Sequence, residues 1–358
     1  MSDLSDLLGM AKNSDPSVRA MVAQSIATIP DPAATTTLID LLSDVDDRVR
    51  LAAIYALGAS RKAVAIEPLL PLLDDEESVD IRCATLAALA MIADRRSFAP
   101  IAVRLFDIND EIRKNAAAAI GRLHDGRALE PLLMCLDDEA EWVRANAALS
   151  LGQLGRSDPI GRLVQLADSE DTENVRSSAI SALGSLGAFL IDSEDAEEQE
   201  SSAMALDCAY TALDDAVEET KVRVAAQLSL ADGFERIGQF DASRAQSIFA
   251  LTCAVSSSSV SPDDLRSTAI WSLGKMAISS SCTLGTEAID SAVELLISAL
   301  DDPHEWCVRY AIEALANIGG ERAKEALAGF ASSERGSRYS ELCAKALDLL
   351  GQQPLLSI

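Results

Sequence analysis

The chain has 358 residues, enough for two or three ordinary domains or for one elongated array. Hydrophobic residues make up 49% of it but aromatic residues only 4%, a balance that favours closely packed helices over a β-sandwich or barrel. The net charge is −27, from 57 acidic and 30 basic residues. We expect this charge to exclude nucleic acid and anionic membranes as partners, because both bind proteins that neutralise phosphates.

The basic residues are 23 Arg and only 7 Lys. High acid content with scarce Lys keeps proteins hydrated in concentrated salt, so the composition fits either a salt-adapted prokaryote or an ordinary acidic scaffold. The seven cysteines are scattered without a C-x-x-C pair, which argues against a disulfide framework and a zinc site. The acidic N-terminus lacks the pattern of a signal peptide, and no apolar run approaches about 18 residues, so we expect a cytoplasmic protein.

Along the chain, one helical pattern recurs nine times. An apolar residue precedes a reference position, a small or β-branched residue follows it at +3, and Ile or Leu follows at +7. These offsets lie on one face of an α-helix, and a Gly or Ala at +8 allows a neighbouring helix to approach closely. The reference residues are Arg19, Arg50, Arg82, Arg113, Arg144, Arg176, Arg223, Arg266 and, in the ninth copy, Val308. Their spacing is 31 or 32 residues up to Arg176 and 42 to 47 beyond it.

A second helix fits into each gap, as in residues 63–75 and 127–139. Pro68, Pro100 and Pro131 each follow their Arg by 18 residues, which suits the first turn of that second helix, where a missing N–H costs little. Each unit is therefore predicted to be a helical hairpin. Stacking the hairpins buries a continuous core that one hairpin alone does not provide.

The repeated segment resembles the HEAT-repeat family in its short form, D-x-x-V-R-x-x-A-A-x-A-L-G, the kind found in phycobilin lyases. The resemblance covers about residues 14–330. It implies an all-α fold, a right-handed α-α superhelix (a HEAT-repeat solenoid) of about nine helical hairpins, with the V-R helices on the concave side. It also implies that the arginines form a structural ladder, each paired with an acid shortly before it. The acids at that position are Asp15, Asp46, Asp110, Glu141 and Glu173.

The regularity of the repeats breaks after Arg176. We predict regular short repeats with a period of about 31 over residues 1–190, followed by an acidic loop or insert over 191–202. Longer HEAT-like repeats are predicted over 203–358, ending in a C-terminal cap.

Nothing in the sequence indicates a reaction. The two histidines, His124 and His304, have no partner cluster, and no P-loop, G-x-S-x-G or G-x-G-x-x-G motif occurs. Deoxyhypusine hydroxylases, which are di-iron HEAT-repeat enzymes, need several His-Glu pairs, whereas this chain has the single pair His304-Glu305. We therefore expect no enzymatic activity, no catalytic residue, no metal and no cofactor.

Four aromatic residues occupy positions that the repeat does not need for its core. Trp142 and Trp306 stand two residues before the reference position, and Tyr55 and Trp271 stand five after it. Both offsets lie opposite the buried stripe, so we expect these rings on the concave face, where large aromatics are typical anchors for a partner. The alternative is that each ring packs against an adjacent loop or a long side chain.

These features predict a non-enzymatic scaffold or adaptor that grips a protein partner with a basic surface, for example in a regulatory or signalling (taxis-like) complex. One alternative is a lyase-like chaperone or holder of a cofactor or chromophore, related to phycobilin lyases, which predicts a deep apolar pocket. Another is a structural rod that self-associates through its end repeats.

Overall fold

The computed structural model describes residues 4–74, 78–169, 171–215, 220–240, 242–258, 261–279 and 285–352. All regular secondary structure within these ranges is helical, which confirms the predicted all-α fold. The chain divides into two compact units, Met1–Leu154 and Gly155–Ile358. This boundary differs from the predicted change of organisation near residue 190, because the regular repeat around Arg176 packs with the longer repeats that follow it.

The N-terminal unit consists of ten α-helices within its described residues. They are α1 (Leu4–Met10), α2 (Pro16–Ile26), α3 (Pro32–Leu41), α4 (Asp47–Ser60), α5 (Ile66–Leu69), α6 (Val79–Ile92), α7 (Phe98–Arg104), α8 (Asp110–Gly121), α9 (Leu129–Cys135) and α10 (Glu141–Gln153). The V-R helices α2, α4, α6, α8 and α10 pack one against the next, and α3, α5, α7 and α9 pack on the V-R helix that follows each of them.

The C-terminal unit repeats this arrangement with longer helices. They are α11 (Ile160–Ala167), α12 (Glu173–Leu190), α13 (Ala196–Asp214), α14 (Thr220–Phe240), α15 (Ala242–Ser257), α16 (Asp263–Ser279), α17 (Gly285–Ala299), α18 (Glu305–Ile318), α19 (Glu321–Ala331) and α20 (Ser340–Gln352). The V-R helices α12, α14, α16 and α18 stack in order, and α20 packs on α18. All nine predicted V-R helices are thus present, and each unit is a helical solenoid.

The predicted helix face forms the core. In α4, Val49, Ala53 and Leu57 at offsets −1, +3 and +7 are fully buried. The small residue at +8 also acts as expected, because a Cβ on Gly58 would lie 2.8 Å from the Cα of Ala88 in α6. The backbones of successive V-R helices are therefore in direct contact at this position.

The segment predicted as an acidic loop over 191–202 is a loop only over its first five residues. Asp195 is the N-cap of α13, and its carboxylate accepts the backbone N–H groups of Glu197 and Glu198. Carboxylates in the first turn of a helix interact favourably with its dipole. The acidity that suggested an exposed loop is thus the start signal of a helix, and Ser202 is buried, donating to the carbonyl of Gly187.

Candidate functional site

Four of the eight ladder arginines bind an acid in the loop that follows their own hairpin, not the acids predicted before them. The Arg19 guanidinium contacts both carboxylate oxygens of Asp44 at 2.7 Å, from Nε and Nη2. The pairs of this kind are Arg19–Asp44, Arg82–Asp107, Arg113–Asp138 and Arg266–Asp302. The acid lies 25 residues after its Arg in the first three pairs and 36 after it in the last.

Each of these guanidinium groups joins two consecutive loops. Arg113 donates to the carbonyls of Asp107 and Ile108 in the loop before its helix, and to Asp138 in the loop after its hairpin. Asp138 in turn accepts the backbone N–H of Ala140 at 2.9 Å. Burial alone would raise the pKa of Asp138, but these hydrogen bonds hold it below its usual value.

Three of the five acids predicted as ladder partners have other contacts. Asp15 and Asp46 are N-caps that accept the N–H groups of Ser17 and Arg48, and Glu173 lies 3.7 Å from the ammonium of Lys221. A spacing of 25 residues from Arg to Asp recurs in the sequence and was a signal for three of these four partners, whereas Asp302 lies 36 residues after Arg266. The structure decides that these acids, and not the nearer ones, bind the arginines. Asp75, at this spacing from Arg50, lies outside the described residues.

The remaining four ladder arginines also bond to loop or helix-terminal atoms. Arg50 pairs with Asp47 at 2.7 Å. The other three donate to backbone carbonyls: Arg144 to Asp138 and Glu139, Arg176 to Ala167, and Arg223 to Leu213. The pair of Arg50 with Asp47 lies within α4, whereas the other seven arginines bond to atoms outside their own V-R helix and so connect it to neighbouring segments.

The four aromatic candidates lie in V-R helices, and three of them are about half exposed. The exposed fraction is 52% for Tyr55, 52% for Trp142 and 53% for Trp306. Trp271 is less exposed, and the Lys275 ammonium lies 5.3 Å from its ring centroid. Both kinds of surroundings occur, since Trp271 is less exposed and lies beside Lys275, whereas Trp306 keeps 53% of its area exposed although Arg309 lies beside its ring.

Trp306 lines a groove across the V-R helices of the C-terminal unit, with a volume of about 540 Å³. We call it the α14–α18 groove. Its lining comes from α12 (Ser177), α14 (Thr220, Lys221, Val224, Ala225 and Leu228), α16 (Asp264, Ser267 and Thr268) and α18 (Trp306 and Tyr310). Trp271 does not line this groove, and Trp142 and Tyr55 belong to the other unit.

One aromatic residue of the groove, Tyr310, was not predicted from the sequence. Tyr310 stands at offset +2, one helical turn after Trp306, and the two ring centroids are 5.7 Å apart. Thr268 and Ala225 occupy the same +2 position in α16 and α14. Residues four apart are neighbours on a helix surface, so the exposed offset −2 already pointed to +2 as a position on the same face.

The charges around the groove are unevenly paired. Lys221 faces Glu173, and Glu305 pairs with Arg309 at 2.8 Å. The Arg309 guanidinium also lies 5.5 Å from the ring centroid of Trp306. Asp264 is exposed, and the hydroxyls of Ser267 and Thr268 donate to its backbone carbonyl rather than to its carboxylate.

The side chains that are typical nucleophiles or metal ligands do not assemble into a site within the part of the chain that the structure describes. No group of three or more His, Cys, Asp and Glu has the geometry to hold a metal ion there. Burial raises the pKa of Cys135 to about 11 and that of Cys307 to about 12, which suppresses the reactive thiolate. His124 is a turn residue whose Nδ1 lies 3.0 Å from the carbonyl oxygen of Gln153. Among the described helices, none combines the length and hydrophobicity that a membrane crossing requires.

The sequence profile of HEAT repeats matches four stretches, residues 4–90, 66–148, 134–231 and 255–348, of which the first three overlap. The chain belongs to the HEAT-repeat family. No curated protein matches it.

Several solved structures share the fold. A crystal structure of importin beta matches with a TM-score of 0.60 and 14% identity, covering 97% of this chain and 52% of the importin chain. A Kap95:Nup1 complex matches with a TM-score of 0.57 and 16% identity, covering 98% of this chain and 49% of the other. The complex of CpcE and CpcF of phycocyanin lyase from Nostoc sp. PCC7120 has a TM-score of 0.45 and 19% identity, covering 70% and 94%. This HEAT-repeat chain thus spans about half the length of the importin-type chains it matches.

Proposed function

We propose that this HEAT-repeat protein is a non-enzymatic scaffold or adaptor that holds a protein partner on its V-R helices. The observation that carries the proposal is the α14–α18 groove, in which the half-exposed Trp306 and its neighbour Tyr310 lie beside the apolar side chains of Val224 and Leu228. Aromatic side chains in a recess supply most of the binding energy of many protein interfaces. The hydroxyls around them provide polar contacts at the rim.

The composition supports a partner with a basic surface. A net charge of −27 attracts cationic surfaces and accelerates their encounter, while it repels acidic proteins. The scarcity of Lys supports a salt-adapted prokaryotic cytoplasm as the setting, with a regulatory or signalling complex, such as a taxis complex, as the assembly. The Kap95:Nup1 structure shows the related solenoid Kap95 in complex with another protein.

The test is affinity capture of the tagged protein from a lysate of its own host in native salt, with mass spectrometry of what is retained. The same capture is made with the double variant Trp142→Ala/Trp306→Ala and with Phe106→Ala. Phe106 is 58% exposed and lies in the loop between α7 and α8, outside the V-R helices themselves, so it is a control for loss of an exposed aromatic ring.

We expect a defined protein partner that the wild type and Phe106→Ala retain and the double variant loses. Equal retention by all three proteins would keep the scaffold but refute Trp142 and Trp306 as the aromatic anchors of the partner. A purified protein that carries an absorbing or extractable small molecule, with no protein partner, would replace the scaffold by the alternative of a cofactor or chromophore holder.

A further inference from the structure

We propose that the α14–α18 groove contains a subsite for an arginine side chain of the partner, formed by the carboxylate of Asp264 and the rings of Trp306 and Tyr310. The subsite rests on the proposed function. It specifies that the basic residue of the partner is an arginine and that this arginine binds in the α14–α18 groove. All three residues line the same groove from two adjacent V-R helices.

The first observation is that the Asp264 carboxylate is available. Its neighbour Asp263 pairs with Arg266 at 2.7 Å, and Lys221, the lysine of the groove, faces Glu173. No described residue forms an ion pair or hydrogen bond with the side chain of Asp264, which is exposed. A guanidinium that enters the groove can therefore bind the Asp264 carboxylate without displacing another cationic side chain from it.

The second observation is the aromatic wall beside that carboxylate. Trp306 and Tyr310 are tilted by 34° with respect to each other. The protein's own Arg309 already lies against the Trp306 ring, yet 53% of Trp306 stays exposed. Arginine stacks on aromatic faces while its planar fork donates two parallel hydrogen bonds to a carboxylate. A lysine ammonium has no planar face to stack and makes no such fork, so the subsite favours arginine.

The third observation is the shape of the groove around these groups. Ser267 and Thr268 of α16 are small residues between the side formed by α14 and the side formed by α18, and Val224, Leu228 and the small Ala225 line the α14 side. Small residues leave space for a chain, and the apolar wall suits an apolar residue next to the arginine. A peptide with Leu on both sides of Arg is therefore the appropriate probe.

The test uses ¹⁹F NMR of the full-length protein labelled with 5-fluorotryptophan. The chain has three Trp, so three resonances are expected, each assigned by a Trp→Phe variant. The probes are the peptide acetyl-Ala-Leu-Arg-Leu-Ala-amide and the same peptide with Lys or with citrulline, the neutral analogue of Arg, titrated at low ionic strength.

We expect the Arg peptide to shift the Trp306 resonance and to bind about tenfold more tightly than the citrulline peptide, because citrulline keeps N–H donors but lacks the charge that strengthens their hydrogen bonds to the carboxylate. Asp264→Asn should abolish this difference. The backbone carbonyl that binds Ser267 and Thr268 is unchanged in that variant, and thermal unfolding verifies that it is folded. Glu313→Gln, which removes an exposed carboxylate of α18 outside the groove lining, should retain the preference for Arg.

Equal binding of the Arg and citrulline peptides, or an equal loss in Asp264→Asn and Glu313→Gln, would overturn the arginine subsite. A preference for the Lys peptide would overturn the stacked geometry. These outcomes are distinguishable from failure of the proposed function. A partner captured equally by the wild type and Asp264→Asn keeps the scaffold and removes the subsite, whereas the absence of any captured protein removes the scaffold itself.

Discussion

Replacing Asp138 by Asn tests whether the Arg–Asp pairs hold the repeats together. The side chains of Arg113 and Asp138 are 9% and 12% exposed, and they share two hydrogen bonds of 2.8 and 2.9 Å. Asn keeps an acceptor for the N–H of Ala140 but removes the buried counter-charge of the Arg113 guanidinium, whose other acid, Glu139, lies 3.4 Å away and is 89% exposed. Breaking a buried pair costs about 3–5 kcal/mol, and because this pair keeps some contact with water we expect a loss of about 3 kcal/mol.

The free energy of unfolding is measured by urea denaturation monitored by circular dichroism at 222 nm. Glu341→Gln is the control, because the pair of Glu341 with Lys345 is 86% and 73% exposed and such pairs contribute at most about 0.5 kcal/mol. The double variant Arg113→Met/Asp138→Asn should lose less than the sum of its single variants, since it leaves no buried charge without a partner. If Asp138→Asn were no more destabilising than Glu341→Gln, the structural role of the ladder would be refuted.

Four further predictions concern packing, pH, thiol reactivity and salt. Gly58→Ala should lower the free energy of unfolding by about 1–3 kcal/mol in urea denaturation, because the added Cβ would lie 2.8 Å from the backbone of the next helix. The control is Gly161→Ala, which should be neutral or slightly stabilising because no atom lies within 4 Å of its Cβ. The hydrogen bonds from Arg19 lower the pKa of Asp44, so the contribution of this carboxylate to folding stability is present above its unfolded pKa of about 3.9 and is lost as the pH falls below that value. The Tm should therefore stay constant down to about pH 5 and decrease below about pH 4. A Tm that rises on acidification would contradict this pairing. Burial raises the pKa values of Cys135 and Cys307 to about 11 and 12, so both should react with iodoacetamide at mildly alkaline pH only after unfolding in urea. The alkylated sites are identified by peptide mass spectrometry, and rapid alkylation of the native protein would refute the burial of these thiols. If the acidic surface is a salt adaptation, the Tm should continue to rise at potassium chloride concentrations well above those that screen surface charges. A Tm that reaches its plateau at lower salt would favour an ordinary acidic scaffold.

Only part of the candidate site was predictable. Trp306 was expected on the exposed face of its V-R helix, and it lines the groove there. Trp271 satisfied the same sequence criterion but lies under Lys275, one turn further along its own helix. The difference in exposure depends on the neighbours of each ring, which the repeat pattern does not encode.

The sequence by itself determined the local features of this protein, because these depend on residues within one helical turn or one hairpin. The spacing of apolar residues predicts the buried face of every V-R helix, proline at a fixed offset marks the first turn of α5, α7 and α9, and recurrence predicts a HEAT-repeat solenoid. The tertiary structure decided which acid each arginine binds, since Asp44 and Asp138 reach their arginines across a whole hairpin. It also decided that Asp264 of one helix and Trp306 of the next line the same groove. Contacts between helices arise only when the hairpins stack, so no single repeat contains them.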